Sequence, residues 1–261
     1  MKTIVVTGCT GSVGSAAVRM LRERGYNVIG TTRREPREGE RSLNLGSLAS
    51  IIEFVEKLKA DGVKVDGLLN NAGTMERSFG LNDDGFERVT ATNYIGTYLL
   101  SRLMIKAMGK ELQVANTVSL TCYTAKFGKD FFDVNEQNYS QLGTYGSSKY
   151  AVMLFSQELA RRTGNRVNMT DPGVVNSRML HMDRWFDPIA DALFRPFCKS
   201  AEGGATPAVN AVTTDCTMQL FRSTGHKDVP HRWRKDDLAA WLWDETEKKL
   251  KEKFQVLSFE F

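Results

Sequence analysis

The sequence predicts an α/β fold, a doubly wound parallel sheet with helices on both faces, formed as a single domain over residues 1–261. Three observations predict it. Short β-branched runs alternate with amphipathic stretches from the first residues onward. Glycines crowd the first strand-to-helix junction. Polar clusters fall directly after successive apolar runs. In a parallel sheet such clusters share one edge, outside the carboxyl ends of the strands, where open α/β sheets bind ligands.

The elements follow in order. Thr3-Ile-Val-Val-Thr7 reads as a buried strand, and Gly8-Cys-Thr-Gly11-Ser-Val-Gly14 as a turn. A helical pattern then runs through Ala16, Val18, Met20 and Leu21 and ends near Gly25. Val28 to Thr32 is the second strand, with Arg33-Arg34 at its end. Leu48 to Leu58 is an amphipathic helix, and Gly67 to Asn70 a short strand that opens into Asn70-Asn-Ala-Gly73. Phe86 to Met108 is largely helical. Val114 to Ser119 is a strand, Tyr145 to Arg162 a helix, and Arg166 to Asp171 a strand that stops at Pro172-Gly173. No repeat, low-complexity segment or linker interrupts the alternation.

Composition narrows the function. With 41% hydrophobic and 25% charged residues, the chain supports one sizeable core. A net charge of +4 and a pI of about 8.8 suit an anionic cofactor. Nucleic acid would call for a concentrated basic patch. The densest candidate, His226 to Lys235, is flanked and interrupted by acids and reads as a solvated loop. Cys9, Cys122, Cys198 and Cys216 lack metal-ligand or disulfide spacing, which fits a reducing compartment. The three histidines (His181, His226, His231) all fall late, so neither histidine catalysis nor a metal site is expected. No signal peptide or membrane-length apolar run is present, and the expectation is a cytoplasmic protein without a membrane span.

Two clusters carry chemistry. A strand, a glycine turn and a helix N-terminus make an anion site, because bare backbone N–H groups and the helix dipole meet a pyrophosphate there. Gly8, Thr10, Gly11, Ser12, Val13 and Gly14 would line it. Later, Tyr145-Gly-Ser-Ser-Lys149 places a phenol and an ammonium four residues apart, on one helical face. A cation beside a phenol lowers its pKa and lets it exchange a proton near neutrality.

Together, the glycine turn, Asn70-Asn-Ala-Gly73, Asn93, Ser119, Tyr145 with Lys149, and Pro172-Gly-Val-Val175 resemble the short-chain dehydrogenase/reductase family over residues 1 to 180. The resemblance implies a Rossmann-type fold and catalysis by Ser119, Tyr145 and Lys149, with Asn93 completing a tetrad by holding a water that links Lys149 to solvent. It also implies cofactor contacts from Asn71, Ala72, Gly73, Pro172, Gly173 and Val175, and a second role for Lys149 on the nicotinamide ribose. The long interval between Ser119 and Tyr145, containing Phe127 to Asp133, is similar to the retinol-dehydrogenase-like and protochlorophyllide-reductase-like branches. Two departures stand out. Ser12 occupies a position where typical members carry glycine, so the turn reads TGxxGxxG. Asn44, within Leu43-Asn44-Leu45, replaces an aspartate that contacts adenine, and so loses the charge but keeps hydrogen-bonding capacity.

Cofactor choice rests on the end of the second strand. An acid there would chelate the ribose hydroxyls, whereas Thr32-Arg33-Arg34 offers guanidinium groups to a 2′-phosphate, which predicts NADP(H). The expected reaction interconverts a small-molecule carbonyl and its alcohol, with Tyr145 as general acid or base and Ser119 fixing the oxygen. Residues 176 to 206 form the expected substrate lid, and Met179, Leu180, Met182, Trp185, Phe186, Leu193 and Phe194 within it suit a hydrophobic substrate or, equally, a core or oligomer surface. Tyr123 and Tyr139 are either pocket lining or packing, and Asn70 is read as a brace of the sheet edge. The alternative function is a non-catalytic NADP-binding regulator or scaffold. Family members often pair through the helices that hold Tyr94 to Met108 and Tyr145 to Arg162, so a homo-oligomer is possible. The tail bearing Trp233, Trp241 and Trp243 either covers that surface or extends the pocket.

Overall fold

The computed structural model describes residues 1–175 and 198–257, with side chains as far as residue 254. Strands β1 (Thr3–Val6), β2 (Asn27–Thr32), β3 (Glu40–Ser42), β4 (Gly67–Asn70), β5 (Gln113–Thr117), β6 (Val167–Thr170), β7 (Gln219–Arg222) and β8 (Gly225–Asp228) form one sheet. Their order is β3-β2-β1-β4-β5-β6-β7-β8. All neighbours are parallel except β7 and β8, which close the edge as an antiparallel pair. β8 is exposed along its length and takes up residues 226–228 of the basic stretch expected to be a loop.

The central strands are buried on both faces, as a covered parallel sheet requires. Side chains alternate between the faces. Val5, Leu68 and Val114 point into one apolar cluster, and Ile4, Val6, Leu69 and Ala115 into the other. The first cluster is roofed by helices α2 (Leu48–Ala60), α3 (Gly96–Met108), α4 (Gln141–Thr163) and α6 (Asp236–Leu257), and the second by α1 (Ser12–Glu23) and α5 (Ala201–Thr213). Periodicity explains α1, whose Gly14, Ala17 and Leu21 recur at helical spacing on the buried side before Gly25 at φ +82° ends the run.

The helix expected from Phe86 is not uniform. A short turn at Arg88–Thr90 leads into a π-helix at Ala91–Ile95 before α3 begins. The wider π turn holds Asn93 fully buried. β5 ends two residues before Ser119, because Ser119 caps a 3-10 helix at Leu120–Tyr123. Within the sheet, Asn70 Nδ2 donates to Ser101 Oγ at 2.9 Å and to Asn116 Oδ1 at 2.8 Å. Asn116 Nδ2 in turn reaches Ser156 Oγ at 2.9 Å. This buried ladder ties α3, β4, β5 and α4 together, so Asn70 braces the sheet edge as expected.

The C-terminal helix α6 lies across α3 and α4. Trp243 stacks on Phe155 at 6.0 Å between centroids, meets Tyr98 at 5.1 Å, and receives the guanidinium groups of Arg102 and Arg162 at 4.5 and 4.9 Å. Tyr94 Oη and Thr246 Oγ1 share a buried hydrogen bond of 2.7 Å, and Arg162 pairs with Asp244. The Trp-bearing tail thus covers the helices that hold Tyr94 to Met108 and Tyr145 to Arg162. Trp243→Ala is expected to destabilise the fold by about 3–5 kcal/mol, read from urea unfolding monitored by circular dichroism.

Candidate active site

The glycine turn joins β1 to α1 by close backbone approach. Gly8 takes φ +68°, and a Cβ on it would sit 3.0 Å from that of Ala72. A Cβ on Gly14 would run into the Gly8 carbonyl oxygen and lie 2.8 Å from Asn71 Nδ2. Two loops therefore interlock. Thr7 Oγ1 accepts from the Asn71 and Ala72 N–H groups, both at 3.0 Å, while Asn71 Nδ2 donates to the Thr7 carbonyl at 2.9 Å. Gly11 is the N-cap of α1 and supplies no side-chain cap, so the first-turn amides of Ser12, Val13 and Gly14 have no intrahelical acceptor. Thr10, Gly11 and Ser12 are exposed around them. Open amides, a helix dipole and a cradle that admits only glycine fit a pyrophosphate. Ser12 in place of glycine leaves that cradle intact, because the close contact falls on Gly14.

At the end of β2, Thr32 is buried and its hydroxyl accepts from the Arg34 N–H at 3.1 Å. Arg33 and Arg34 are exposed beside it. The adjoining Asn44 Oδ1 accepts from the Gly46 N–H at 3.0 Å and closes an Asx turn. Its amide oxygen is committed locally. Leu45 is buried beneath α3, where a Cβ on Gly96 would strike the Leu45 carbonyl.

The catalytic candidates meet at the carboxyl ends of β4 and β5. Lys149 is buried, and its Nζ donates to the Thr117 carbonyl at 3.0 Å. A Cβ on Gly73 would lie 3.3 Å from that Nζ and 3.2 Å from Asn93 Oδ1, which places Gly73, Asn93 and Lys149 around one point. Lys149 Nζ stands 5.9 Å from the Tyr145 ring centroid. The Ser119 side chain accepts from the Thr121 N–H at 3.3 Å and hydrogen-bonds the Tyr145 phenol.

Asn93 is tied to the loop that follows Gly73. Its Oδ1 accepts from the Thr74 N–H at 2.7 Å, and its Nδ2 donates to the Thr74 carbonyl at 2.9 Å and to Ser148 Oγ at 3.0 Å. The side chain thereby braces the loop after Gly73, and Oδ1 keeps a second lone pair for a further donor. Ser148 is likewise a buried link, donating to the Tyr145 carbonyl at 2.7 Å. Tyr139 ties its hydroxyl to the Glu76 carbonyl at 2.6 Å. Pro172, Gly173 and Val175 line the end of β6, with Gly173 at φ +71° and its N–H held by Asp171 Oδ1 at 3.0 Å. Of the expected lid, residues 176 to 197, including every apolar side chain named there, lie outside the described residues. Residues 201 to 206 begin α5 instead.

Electrostatics corrects one expectation. The lysine was expected to pull the phenol down, yet burial pushes Tyr145 up to about 12, against the downward pull of its hydrogen bond to Ser119. Cys122 and Asp171 push the same phenol further up. Burial pulls Lys149 itself down to about 8. At neutral pH the protein's own groups leave a neutral phenol and an ammonium that sits near its titration point. Such a phenol is suited to giving a proton.

Asp171 and Arg222 were not singled out from the sequence as site residues. An acid next to Pro172-Gly173 was visible, but its partner lies on β7, a strand with no sequence signal of its own. Among the described residues no group of His, Cys, Asp and Glu could hold a metal, and no helix is long and apolar enough to cross a membrane.

The lowered lysine pKa has a consequence for stability. Below about 8 the ammonium is charged in both states and carries its burial penalty. Between that value and the unfolded value of 10.5 the folded state binds fewer protons, so this group's contribution to stability rises with pH. Urea unfolding of wild type and Lys149→Met from pH 7 to 10 is expected to show that rise in wild type and lose it in the variant.

Comparison with known proteins places this geometry. The family profile described as short chain dehydrogenase matches residues 2–185. Human retinol dehydrogenase 13 is 30% identical over 276 residues, covering 94% of this chain and 83% of that protein. The chloroplastic short-chain dehydrogenase TIC 32 A of Brassica napus is 30% identical over 277 residues, covering 93% and 86%. An uncharacterised Mycobacterium paratuberculosis protein superposes with a TM-score of 0.75 at 26% identity, over 96% of this chain and 94% of that one. Actinorhodin polyketide ketoreductase, solved with NADPH, shares the fold at a TM-score of 0.66 and 22% identity, over 85% and 95%. With its glycine turn, its Ser119, Tyr145 and Lys149 at one sheet edge, and a family match over most of its length, the chain belongs to the short-chain dehydrogenase family of oxidoreductases.

Proposed function

We propose that the protein interconverts a carbonyl and an alcohol with NADP(H), Tyr145 acting as general acid and base. The observation that carries this reading is the convergence of Ser119, Tyr145 and Lys149 beside Gly73, at the strand ends where the glycine turn also opens. A bound nicotinamide dinucleotide supplies the hydride for the carbonyl carbon, or accepts it from the alcohol. In the reducing direction the Tyr145 phenol gives its proton to the substrate oxygen as negative charge grows there. Ser119 donates a hydrogen bond to the same oxygen and fixes its distance from the phenol. Lys149, anchored on the Thr117 carbonyl, offers its remaining N–H groups toward Gly73 and the ribose that would lie on it. Asn93 keeps the Gly73-Thr74 backbone in place under that ribose.

The choice of NADP(H) is supported by Arg33 and Arg34, exposed at the end of β2 with no acid among Thr32, Arg33 and Arg34. A hydrophobic substrate is supported by the apolar residues of the 176–206 segment and by the names of relatives that act on retinol, an apolar alcohol. The scattered cysteines support a cytoplasmic setting.

NADPH titration followed by an aldehyde and ketone panel tests the reading. Tyr145→Phe is expected to keep NADPH binding and lose about 10²- to 10⁴-fold in turnover. Binding with no turnover anywhere in the panel would point instead to a regulator of the same fold. For Arg33→Ala, the expectation is NADPH affinity weakened by about 1.5–3 kcal/mol with NADH affinity unchanged. A wild type that prefers NADH would overturn the cofactor assignment.

A further inference from the structure

Asp171 directly follows β6 with its side chain only 3% exposed, and its two carboxylate oxygens have separate duties. Oδ1 accepts from the Gly173 N–H at 3.0 Å, and Oδ2 pairs with Arg222 Nε at 3.3 Å. Arg222, at the end of β7, donates from Nη2 to the Tyr123 hydroxyl at 2.6 Å. Tyr123 is then held on its ring as well, by the Arg232 guanidinium at 4.7 Å from its centroid and by the edge-on Trp233 at 4.3 Å. The 3-10 turn that carries Tyr123 is the one capped by Ser119, so the position of Tyr123 and that of the Ser119 hydroxyl are set together. A second tie reinforces the first. Lys199 Nζ donates to the Pro172 carbonyl at 3.3 Å and to Ser223 Oγ at 2.8 Å, filling the space beside Gly173 that a Cβ would occupy.

A turn hydrogen bond to Gly173 needs only a neutral oxygen, which asparagine would provide. Burying a full carboxylate is costly unless a cation meets it. The charge is therefore there for Arg222, and Arg222 leads to Tyr123. Resting on the proposed function, we infer that Asp171 is a positioning residue, which through Arg222 and Tyr123 locks the Pro172-Gly173 turn and the Ser119 turn in one register about the reacting oxygen.

The test compares Asp171→Asn, Arg222→Gln, Tyr123→Phe and the Asp171→Asn/Arg222→Gln double variant with wild type. NADPH binding, kcat and KM for the best carbonyl of the panel, thermal unfolding and Trp233 emission are read for each. Trp233 emission is isolated by subtracting a Trp233→Phe background. Asp171→Asn keeps the bond to Gly173, so NADPH affinity should stay near the wild-type value while kcat falls roughly 10- to 100-fold, as small misplacements of reacting groups do. Arg222→Gln should do the same, with the double variant no worse than either single one. Tyr123→Phe, which removes one hydroxyl, should shift Trp233 emission in the same direction as Asp171→Asn. The inference is overturned if kcat and Trp233 emission are unchanged in Asp171→Asn, if the double variant is simply additive, or if turnover falls only in step with the unfolded fraction. A wild type that neither binds NADPH nor reduces any carbonyl would overturn the proposed function, and the positioning role with it. That failure is recognisable, because the Trp233 readout still reports whether the strut exists.

Discussion

The buried ammonium of Lys149 is the constraint around which the carboxyl edge of the sheet is arranged. A lone cation under a protein surface is expensive, and the chain answers it with the Thr117 carbonyl at the end of β5. That partner is not a carboxylate. The ammonium is therefore left under-neutralised, its proton loosened to about 8, at the point where an oxygen-rich ribose and a reacting alcohol would be welcome. Burial acts on Tyr145 in the opposite sense, holding the phenol in its protonated form. The same low polarity thus prepares a proton donor and a cation together, which a solvated helix pair would not do.

Precision at this edge comes from backbone contacts that tolerate no added atoms. Gly8 on Ala72 and Gly14 on the Gly8 carbonyl clamp the first two loops against each other, and Thr7 stitches them with its hydroxyl. Behind them, the Ser101-Asn70-Asn116-Ser156 ladder carries the alignment across β4 and β5 to the helix that bears Tyr145. Buried polar networks of this kind favour one arrangement, because a shift strands their donors. The helix that bears Tyr145 is held from outside as well. Trp243 and Thr246 of α6 fasten α3 and α4 with stacked rings and a buried hydroxyl pair.

Much of this was legible in residue order. The β-branched run at Thr3, the glycines at 8, 11 and 14, and the doublet Asn70-Asn71 report local backbone needs, so strand, turn and helix could be placed within a residue or two. What escaped were features without a local signal. β3 is three residues long, β7 is short, β8 is short and polar, and the π turn around Asn93 leaves the apolar periodicity nearly unchanged. The long helix α6 was hidden because its charged residues dilute the apolar stripe that docks it.

The sequence by itself determined the alternation of elements, the glycine cradle, and the presence of serine, tyrosine and lysine at spacings that suit proton transfer. These are local facts, fixed by the φ of glycine, by side-chain branching and by the 3.6-residue period. Only the tertiary structure decided how those groups are charged and braced. The phenol goes up rather than down, Asn93 binds Thr74, and Asp171 finds its cation on β7. Each depends on burial and on partners from 19 to 51 positions away in the chain, which residue order does not encode until the sheet closes.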